Sequence, residues 1–313
     1  MKPAFVVIVG PTAVGKTEIA VRLAKLIGGE IISGDSVQVY RKLNIGSAKV
    51  TPNEQQGVPH HMIDILNPDE EFSVAMFQKR VKDLIVEITV RGKIPLLVGG
   101  TGLYIRSIID PYEFPDIASD NTIRDSLREI AETAGKEELH RRLAQVDPVS
   151  AARLHVNDVT RVVRALEVFQ ITGSPFSEFQ NSVSKEPSLE DSPYRLSYFG
   201  LTAPREEIYF RINRRVDTMI DKGFVQEVNC LLQEGYSPNL AALQTIGYRH
   251  VIKYLRGHTN LEETLRLLKR DTRHFAKRQL TWFRRDPRIV WFDAINSTMS
   301  QIVEEMAERI CKL

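Results

Sequence analysis

A chain of 313 residues with 42% hydrophobic and 26% charged residues has the make-up of a folded globular protein, long enough for one large domain or two moderate ones. Its 42 Lys and Arg offset 40 Asp and Glu, so net charge neither requires nor excludes a polyanionic partner, and the placement of the charges must decide. Cys230 and Cys311 match no metal or redox spacing, the short apolar run after Lys2 leads straight into a glycine-rich loop, and no apolar run approaches the ~18 residues of a membrane span, so a cytoplasmic chain without a cleavable leader or membrane contact is expected.

The first hundred residues alternate strand and helix signals, the α/β pattern. "AFVVIVG" is a buried strand. It runs into Gly10, Pro11, Thr12, Ala13, Val14, Gly15, Lys16 and Thr17, which spell G-x-x-x-x-G-K-T. A helix from Thr17 to Ile27 follows, with an apolar face at Ile19, Ala20, Leu23, Ala24 and Ile27. The glycines let the backbone turn so that successive amides point at anionic oxygens, and the helix adds its positive N-terminal end. Lys16 places an ammonium on a terminal phosphate, and Thr17 offers a hydroxyl to Mg²⁺. The setting between strand and helix separates this cradle from an incidental glycine turn. It does not say which polyphosphate is held.

A second strand, "EIISGDS", delivers Asp35 to a carboxyl end, where open α/β sheets bind ligands. An aspartate there can hold a metal-bound water, serve as a general base, or cap a turn. In "VPHHMIDI", His60 and His61 are neighbours in an extended segment, so their side chains point to opposite sides and hydrogen bonding or packing is expected, not a shared metal. The amphipathic helix "SVAMFQKRVKDLIVEITVRG" precedes a further strand, "KIPLLVGG". A nucleoside triphosphatase should end such a strand in an acid that holds Mg²⁺. Here "IPLLVGGTG" ends in glycines and Thr101, while "IVWFD" at Asp293 reads as the end of a closing strand. ATP hydrolysis lacks its partner.

Near Pro111 the texture changes. "DPYEFPDIASD" reads as a linker, the next 80 or so residues as helices, and "NSVSKEPSLEDSP" as a flexible loop. In "NDVTRVVRALEVF", Asp158 is placed to cap a helix with an apolar face at Val159, Val162, Val163 and Leu166, and Arg161 and Arg164 are neighbours on its flank. "YRLSYFGLT" returns to strand character, helices follow to about Arg285, and "RIVWFDA" supplies the last strand. The expected fold is α/β: a P-loop NTPase-like core with a parallel sheet from residues 1–112 and 196–313, plus a helical domain inserted at 113–195.

Two segments of that core concentrate positive charge. "PREEIYFRINRRVD" brings Arg211, Arg214 and Arg215 onto one helix. Between Arg266 and Arg288, nine Lys or Arg face only Asp271 and Asp286, with Phe275, Trp282 and Phe283 among them. Such a stripe suits a nucleic-acid backbone, with aromatics to stack on unpaired bases. On charge alone the alternative is a solvated helix face beside core aromatics.

In this order, "GPTAVGKT", "SGDSVQVYRKLNIGSAK", "HHMIDI", "VGGTGLYI", "RVVRALEV", "RINRRVD", "TIGYR" and "AKRQLTWFR" together resemble the bacterial tRNA dimethylallyltransferases, or tRNA isopentenyltransferases, from residue 10 to about 285. No Cys/His zinc finger follows, so the short bacterial form is expected. The resemblance implies transfer of a dimethylallyl group from dimethylallyl diphosphate to N6 of the adenine 3′ of the anticodon, in tRNAs reading codons that begin with U, with release of diphosphate. It implies that residues 10–17 bind the diphosphate, that Lys16 and the loop amides stabilise the departing pyrophosphate, and that Thr17 helps to hold Mg²⁺. Asp35 would accept the N6 proton, Thr101 would lie near the reacting amine, and Arg211 or Arg215 would clamp the diphosphate from the far side. Asp35, Ser36, Val37, Gln38, Thr101, Arg161, Arg164, Gln244, Gly247, Tyr248, Arg249, Lys277, Arg278, Trp282 and Arg284 match tRNA-contacting segments, with the inserted domain on the anticodon stem-loop. The adenine must then flip out of its stack. A monomer is expected. The rival readings are a P-loop phosphotransferase, in which Asp35 activates an acceptor hydroxyl, and a nucleotide-gated RNA-binding protein.

Overall fold

The computed structural model describes residues 2–111, 120–183 and 188–312. Most of the expected linker (112–119) and part of the expected loop (184–187) lie outside the described residues. The chain divides into two compact units, 1–110 with 187–313 and 111–186.

The larger unit begins with β1 (Ala4–Val9), α1 (Lys16–Ile27) and β2 (Gly29–Ser33), then α2 (Pro52–Gln55), a short β3 (His60–His61), α3 (Val74–Val90), β4 (Ile94–Gly99) and α4 (Gly102–Ile109). The inserted unit holds α5 (Asn121–Thr133), α6 (Lys136–Val146), α7 (Pro148–Arg153), α8 (Val159–Thr172) and a 3₁₀ turn at Phe176–Val183. The larger unit resumes with β5 (Arg195–Thr202), α9 (Arg205–Asp221), α10 (Phe224–Gln233), α11 (Tyr248–Leu255), α12 (Leu261–Phe283), β6 (Val290–Asp293) and α13 (Met299–Cys311).

Its sheet has six strands in the order β3-β2-β4-β1-β5-β6, every pair parallel. Parallel strands covered on both faces need apolar side chains in both directions. β1 meets that need: Val6 and Ile8 enter the cluster under α1, α9 and α13, while Phe5, Val7 and Val9 enter the cluster under α3 and α4. A third apolar cluster joins α9, α10, α11 and α12 to Val39, Tyr40 and Leu43. That cluster sets the helices that carry the basic segments onto the loop after β2.

The compact unit ends at residue 186 and not at 195, because the residues just before β5 already pack on the sheet. Lys2 Nζ donates to the carbonyls of Glu190 and Ser192, each at 2.7 Å, and the Tyr194 ring lies 4.8 Å from that of Phe5.

The inserted unit packs Leu127, Leu139, Leu143, Val162, Val163 and Leu166 into its own core. Asp158 occupies the N-cap position of α8, but its side chain makes no capping hydrogen bond. The carboxylate instead faces Arg161 Nε at 3.3 Å, one turn along the helix. Fully buried Glu167 accepts from Arg164 (2.7 Å), from Arg124 (2.9 Å) and from the Asp120 amide (2.8 Å), so the flank of α8 is stitched to the start of α5.

Candidate active site

The phosphate loop leaves β1 pressed against β5. Gly10 has φ 150°, and a Cβ there would stand 2.6 Å from the Leu201 carbonyl oxygen, so only glycine fits. Ala13 at φ 66° and Gly15 at φ 105° turn the chain into α1, the left-handed backbone from which anion-binding nests of amides are built. Lys16 Nζ donates to the carbonyls of Gly10 at 2.9 Å and Pro11 at 2.8 Å. Burial, and then the charge of Arg215, push the Lys16 pKa down to about 7 against the opposing pull of Asp35.

The resemblance leaves Arg211 and Arg215 both open, and both reach the loop from α9. One turn apart on α9, Arg215 Nη1 sits 3.3 Å from Thr12 Oγ1, and Arg211 Nη1 is 3.5 Å from the Val14 carbonyl while its Nε holds Glu207 at 2.6 Å. Burial lowers the Arg215 pKa, countered by Glu54 and Asp35. Among the described residues neither Lys16 nor Arg215 has an ion-pair partner, whereas Arg211 does. Two enclosed cationic side chains without ion-pair partners favour an anion between them, and in its absence Lys16 gives up its proton more readily, as its lowered pKa records. Arg214 points to solvent.

Asp35 and Thr101 come from adjacent strands. The Gly34 amide donates to the Val98 carbonyl at 2.8 Å, and a Cβ on Gly99 would lie 2.6 Å from the Gly34 carbonyl oxygen, so β2 and β4 end in direct backbone contact. Asp35 Oδ1 accepts from the amides of Val37 (2.8 Å) and Gln38 (3.2 Å), an Asx turn that fixes the carboxylate and, among the described residues, leaves Oδ2 without a hydrogen bond. Its negative charge favours the charged forms of both Lys16 and Arg215. Thr101 is the N-cap of α4 without a side-chain capping bond, and among the described residues its hydroxyl makes no hydrogen bond. No acid ends β4, and Asp293 at the end of β6 accepts from the amides of Ile295 and Asn296, a turn-forming role.

His60 and His61 separate as alternation requires: His60 Nδ1 contacts the Val58 carbonyl at 2.8 Å, and His61 Nε2 contacts Glu30 at 2.7 Å. Among the described residues no group of three His, Cys, Asp or Glu is placed to hold a metal.

The expected RNA-contacting positions fare unequally. Lys277, Arg278 and Trp282, with His274, Thr281 and Arg285, line an open groove of about 470 Å³ on α12, and Arg284 is exposed beside it. Phe283 belongs to the core at 1% exposure and offers no stacking surface. Ser36, Val37 and Gln38 continue the Asp35 turn, and Gln38 Nε2 reaches the carbonyls of Ser47 (3.4 Å) and Ala48 (3.3 Å). Gly247 and Tyr248 are buried, so their side-chain positions support the surface and do not form it. Arg249 pairs with Asp271 at 3.1 Å, and exposed Gln244 donates to the Pro238 carbonyl at 2.7 Å. In the inserted unit Arg161 is exposed, whereas Arg164 is tied to Glu167.

Two residues that sequence reasoning missed organise this end of the sheet. Glu227 gathers the amides of residues 44–46, and Gln279 joins the phosphate loop to Gly100. Gln279 had a signal in its spacing from Ala276 and Phe283, which marks the inner stripe of α12. Glu227 had none.

The chain is similar to the tRNA dimethylallyltransferase of Desulfitobacterium hafniense, 55% identical over 306 residues that cover 98% of this chain and 96% of that one. Among solved structures it resembles the tRNA isopentenylpyrophosphate transferase of Bacillus halodurans, at 44% identity and TM-score 0.74, covering 99% of this chain and 96% of that one. It also resembles a eukaryotic dimethylallyltransferase acting on tRNA, at 28% identity and TM-score 0.77, covering 98% of this chain and 77% of that one. The family described as IPP transferase matches residues 38–286. By that match and these identities, the chain belongs to the IPP transferase family.

Proposed function

We propose that this chain is a tRNA dimethylallyltransferase, moving a dimethylallyl group from dimethylallyl diphosphate to N6 of the adenine 3′ of the anticodon, in tRNAs reading codons that begin with U. The observation that carries the reading is the meeting of two cations without ion-pair partners, Lys16 and Arg215, at a loop faced by one fixed carboxylate, Asp35, with no hydrolytic acid on β4. That is a cradle for a leaving group beside a base.

In the step itself the N6 amine attacks C1 of the dimethylallyl chain, and the bond from C1 to the diphosphate oxygen breaks. The loop amides, Lys16 and Arg215 take up the charge that grows on the departing diphosphate. Asp35 Oδ2 accepts the N6 proton, its partner Oδ1 being held by the Val37 and Gln38 amides. The Thr101 hydroxyl orients the amine. The Thr17 hydroxyl, a hard oxygen donor at the start of α1, fits Mg²⁺, which keeps most of its ligands as water and phosphate oxygens. When bound, that ion neutralises charge on the diphosphate.

Flipping the adenine out of its stack costs a few kcal/mol, offset by phosphate contacts to the basic face of α12 and to Arg161 of the inserted unit, which we assign to the anticodon stem-loop. No helix among the described residues is long and apolar enough to cross a membrane, and we place the chain in the cytoplasm as a monomer.

The test incubates the protein with unmodified tRNA, Mg²⁺ and labelled dimethylallyl diphosphate, with γ-labelled ATP in a parallel tube. Label from the isoprenoid should appear on tRNA. Transfer of γ-phosphate would make the chain a phosphotransferase, and tRNA retention without chemistry would make it a binding protein.

A further inference from the structure

Gln279 lies on the inner face of α12 at 6% exposure, and both ends of its amide are used. Oε1 accepts from the Thr12 backbone amide at 2.8 Å, and Nε2 donates to the Gly100 carbonyl at 3.0 Å. The receiving loop is shaped for this contact: a Cβ on Gly100 would stand 2.1 Å from Nε2, and a Cβ on Gly102 would stand 2.2 Å from the Trp282 indole nitrogen. A buried amide is costly unless both its donor and its acceptor are satisfied. Here each is satisfied by a different catalytic loop. Thr12 belongs to the diphosphate cradle and also contacts Arg215, while Gly100 immediately precedes Thr101.

We propose that Gln279 is a positioning residue for the transfer reaction. Its amide sets the separation between the loop that holds the leaving group and the loop that orients the acceptor amine, and it ties both to the helix presenting Lys277 and Arg278. The inference rests on the prenyl-transfer reading above. A residue of this kind acts on the approach of the reacting atoms and not on the grip of either substrate. Methionine fills the same volume without either hydrogen bond. Glutamate keeps an acceptor for the Thr12 amide but turns a carboxylate oxygen toward the Gly100 carbonyl, which it repels.

The test compares the full-length wild type with Gln279→Met and Gln279→Glu in steady-state and single-turnover assays, alongside melting curves. A misplacement near 1 Å can cost about 100-fold in rate, so the expected result is a kcat lowered by about 10- to 100-fold in both variants. KM for tRNA and for dimethylallyl diphosphate should stay within about threefold, since both hydrogen bonds of the amide go to protein backbone. Gly100→Ala, which crowds the same contact while keeping the glutamine, should show the same split and guards against a Met variant that fails to fold. An unchanged kcat in a folded Met or Ala variant overturns the inference, as does a parallel loss of kcat, pyrophosphate affinity and melting temperature, the mark of a purely structural staple. A wild type that transfers no label sinks the prenyl-transfer reading itself, so the two failures are told apart.

Discussion

Tyr248 donates its phenol hydroxyl to Glu227 Oε1 at 2.7 Å, and the same carboxylate accepts the backbone amides of Asn44 (3.0 Å), Ile45 (2.7 Å) and Gly46 (3.2 Å). One side chain thus pins the loop that runs on to Ser47 and Ala48, whose carbonyls receive Gln38. Glu227→Ala removes the acceptor from three amides and a phenol at once. Charge-assisted bonds of this kind, partly exposed, predict a loss of about 2 kcal/mol in urea unfolding. Weaker tRNA binding should accompany it in a filter assay, because Asp35, Ser36, Val37 and Gln38 lose their support. Tyr248→Phe should cost about 1 kcal/mol.

Asp35 has two duties that one substitution can separate. Asp35→Asn keeps an Oδ1 acceptor for the Val37 and Gln38 amides, and so keeps the turn, but it has no basic oxygen. Single-turnover prenyl transfer should fall by roughly 10²- to 10⁴-fold while tRNA still binds. Asp35→Ala should match it in rate and add a loss of stability from the broken turn. An Asn variant that turns over normally would remove Asp35 from the role of base.

Lys16 titrates near neutrality in the folded protein, because burial and Arg215 drive its pKa from 10.5 to about 7. Bound pyrophosphate supplies the missing counter-charge and raises that value again, so binding at pH 8 should draw in a proton. Calorimetry in buffers of different ionisation enthalpy reads that uptake directly, and Lys16→Met should abolish it. For the free protein the sign is opposite to that of a salt-bridged group: the unfolded chain holds this proton between about pH 7 and 10.5 and the folded one does not. This group's penalty on folding is therefore full below about pH 7 and relieved as pH rises toward 10.5. The Met variant should lack that part of the slope.

Exposed cations that meet phosphates should reveal themselves through salt. Arg161 is exposed and pairs with Asp158 at 3.3 Å, and Lys277 lines the α12 groove. Arg161→Ala and Lys277→Ala should each weaken tRNA binding and reduce the slope of log K against log salt by about 0.7 to 0.9. An unchanged slope would mean that these charges face only water.

Much of the architecture was legible because it rests on local pattern. The apolar runs of β1, β4 and β5 and the glycine loop between β1 and α1 announce a parallel sheet with an anion site at one end. β3 escaped notice because it consists of His60 and His61 alone, held by their register opposite Ile31 and Ile32 and by no apolar run of their own. Phe283 was read for its aromatic ring when its place three and four residues from Leu280 and Gln279 marks the buried stripe of α12. Glu227 was invisible for a deeper reason. Besides Tyr248, its partners are backbone amides more than 180 residues upstream, and an amide has no signature in a sequence.

β1 pairs with β4 on one side and β5 on the other, and β5 comes only after the inserted helical unit. A chain emerging N-terminus first therefore offers Gly10 no Leu201 carbonyl to rest against until that insertion has been made. Such long-range pairing is slow and comes late, so the anion cradle is finished only after residue 201 of 313 has been made, although its signature sits at the beginning. A nascent chain interrupted inside the insertion would display the G-x-x-x-x-G-K-T signature in full and still lack the wall that shapes it.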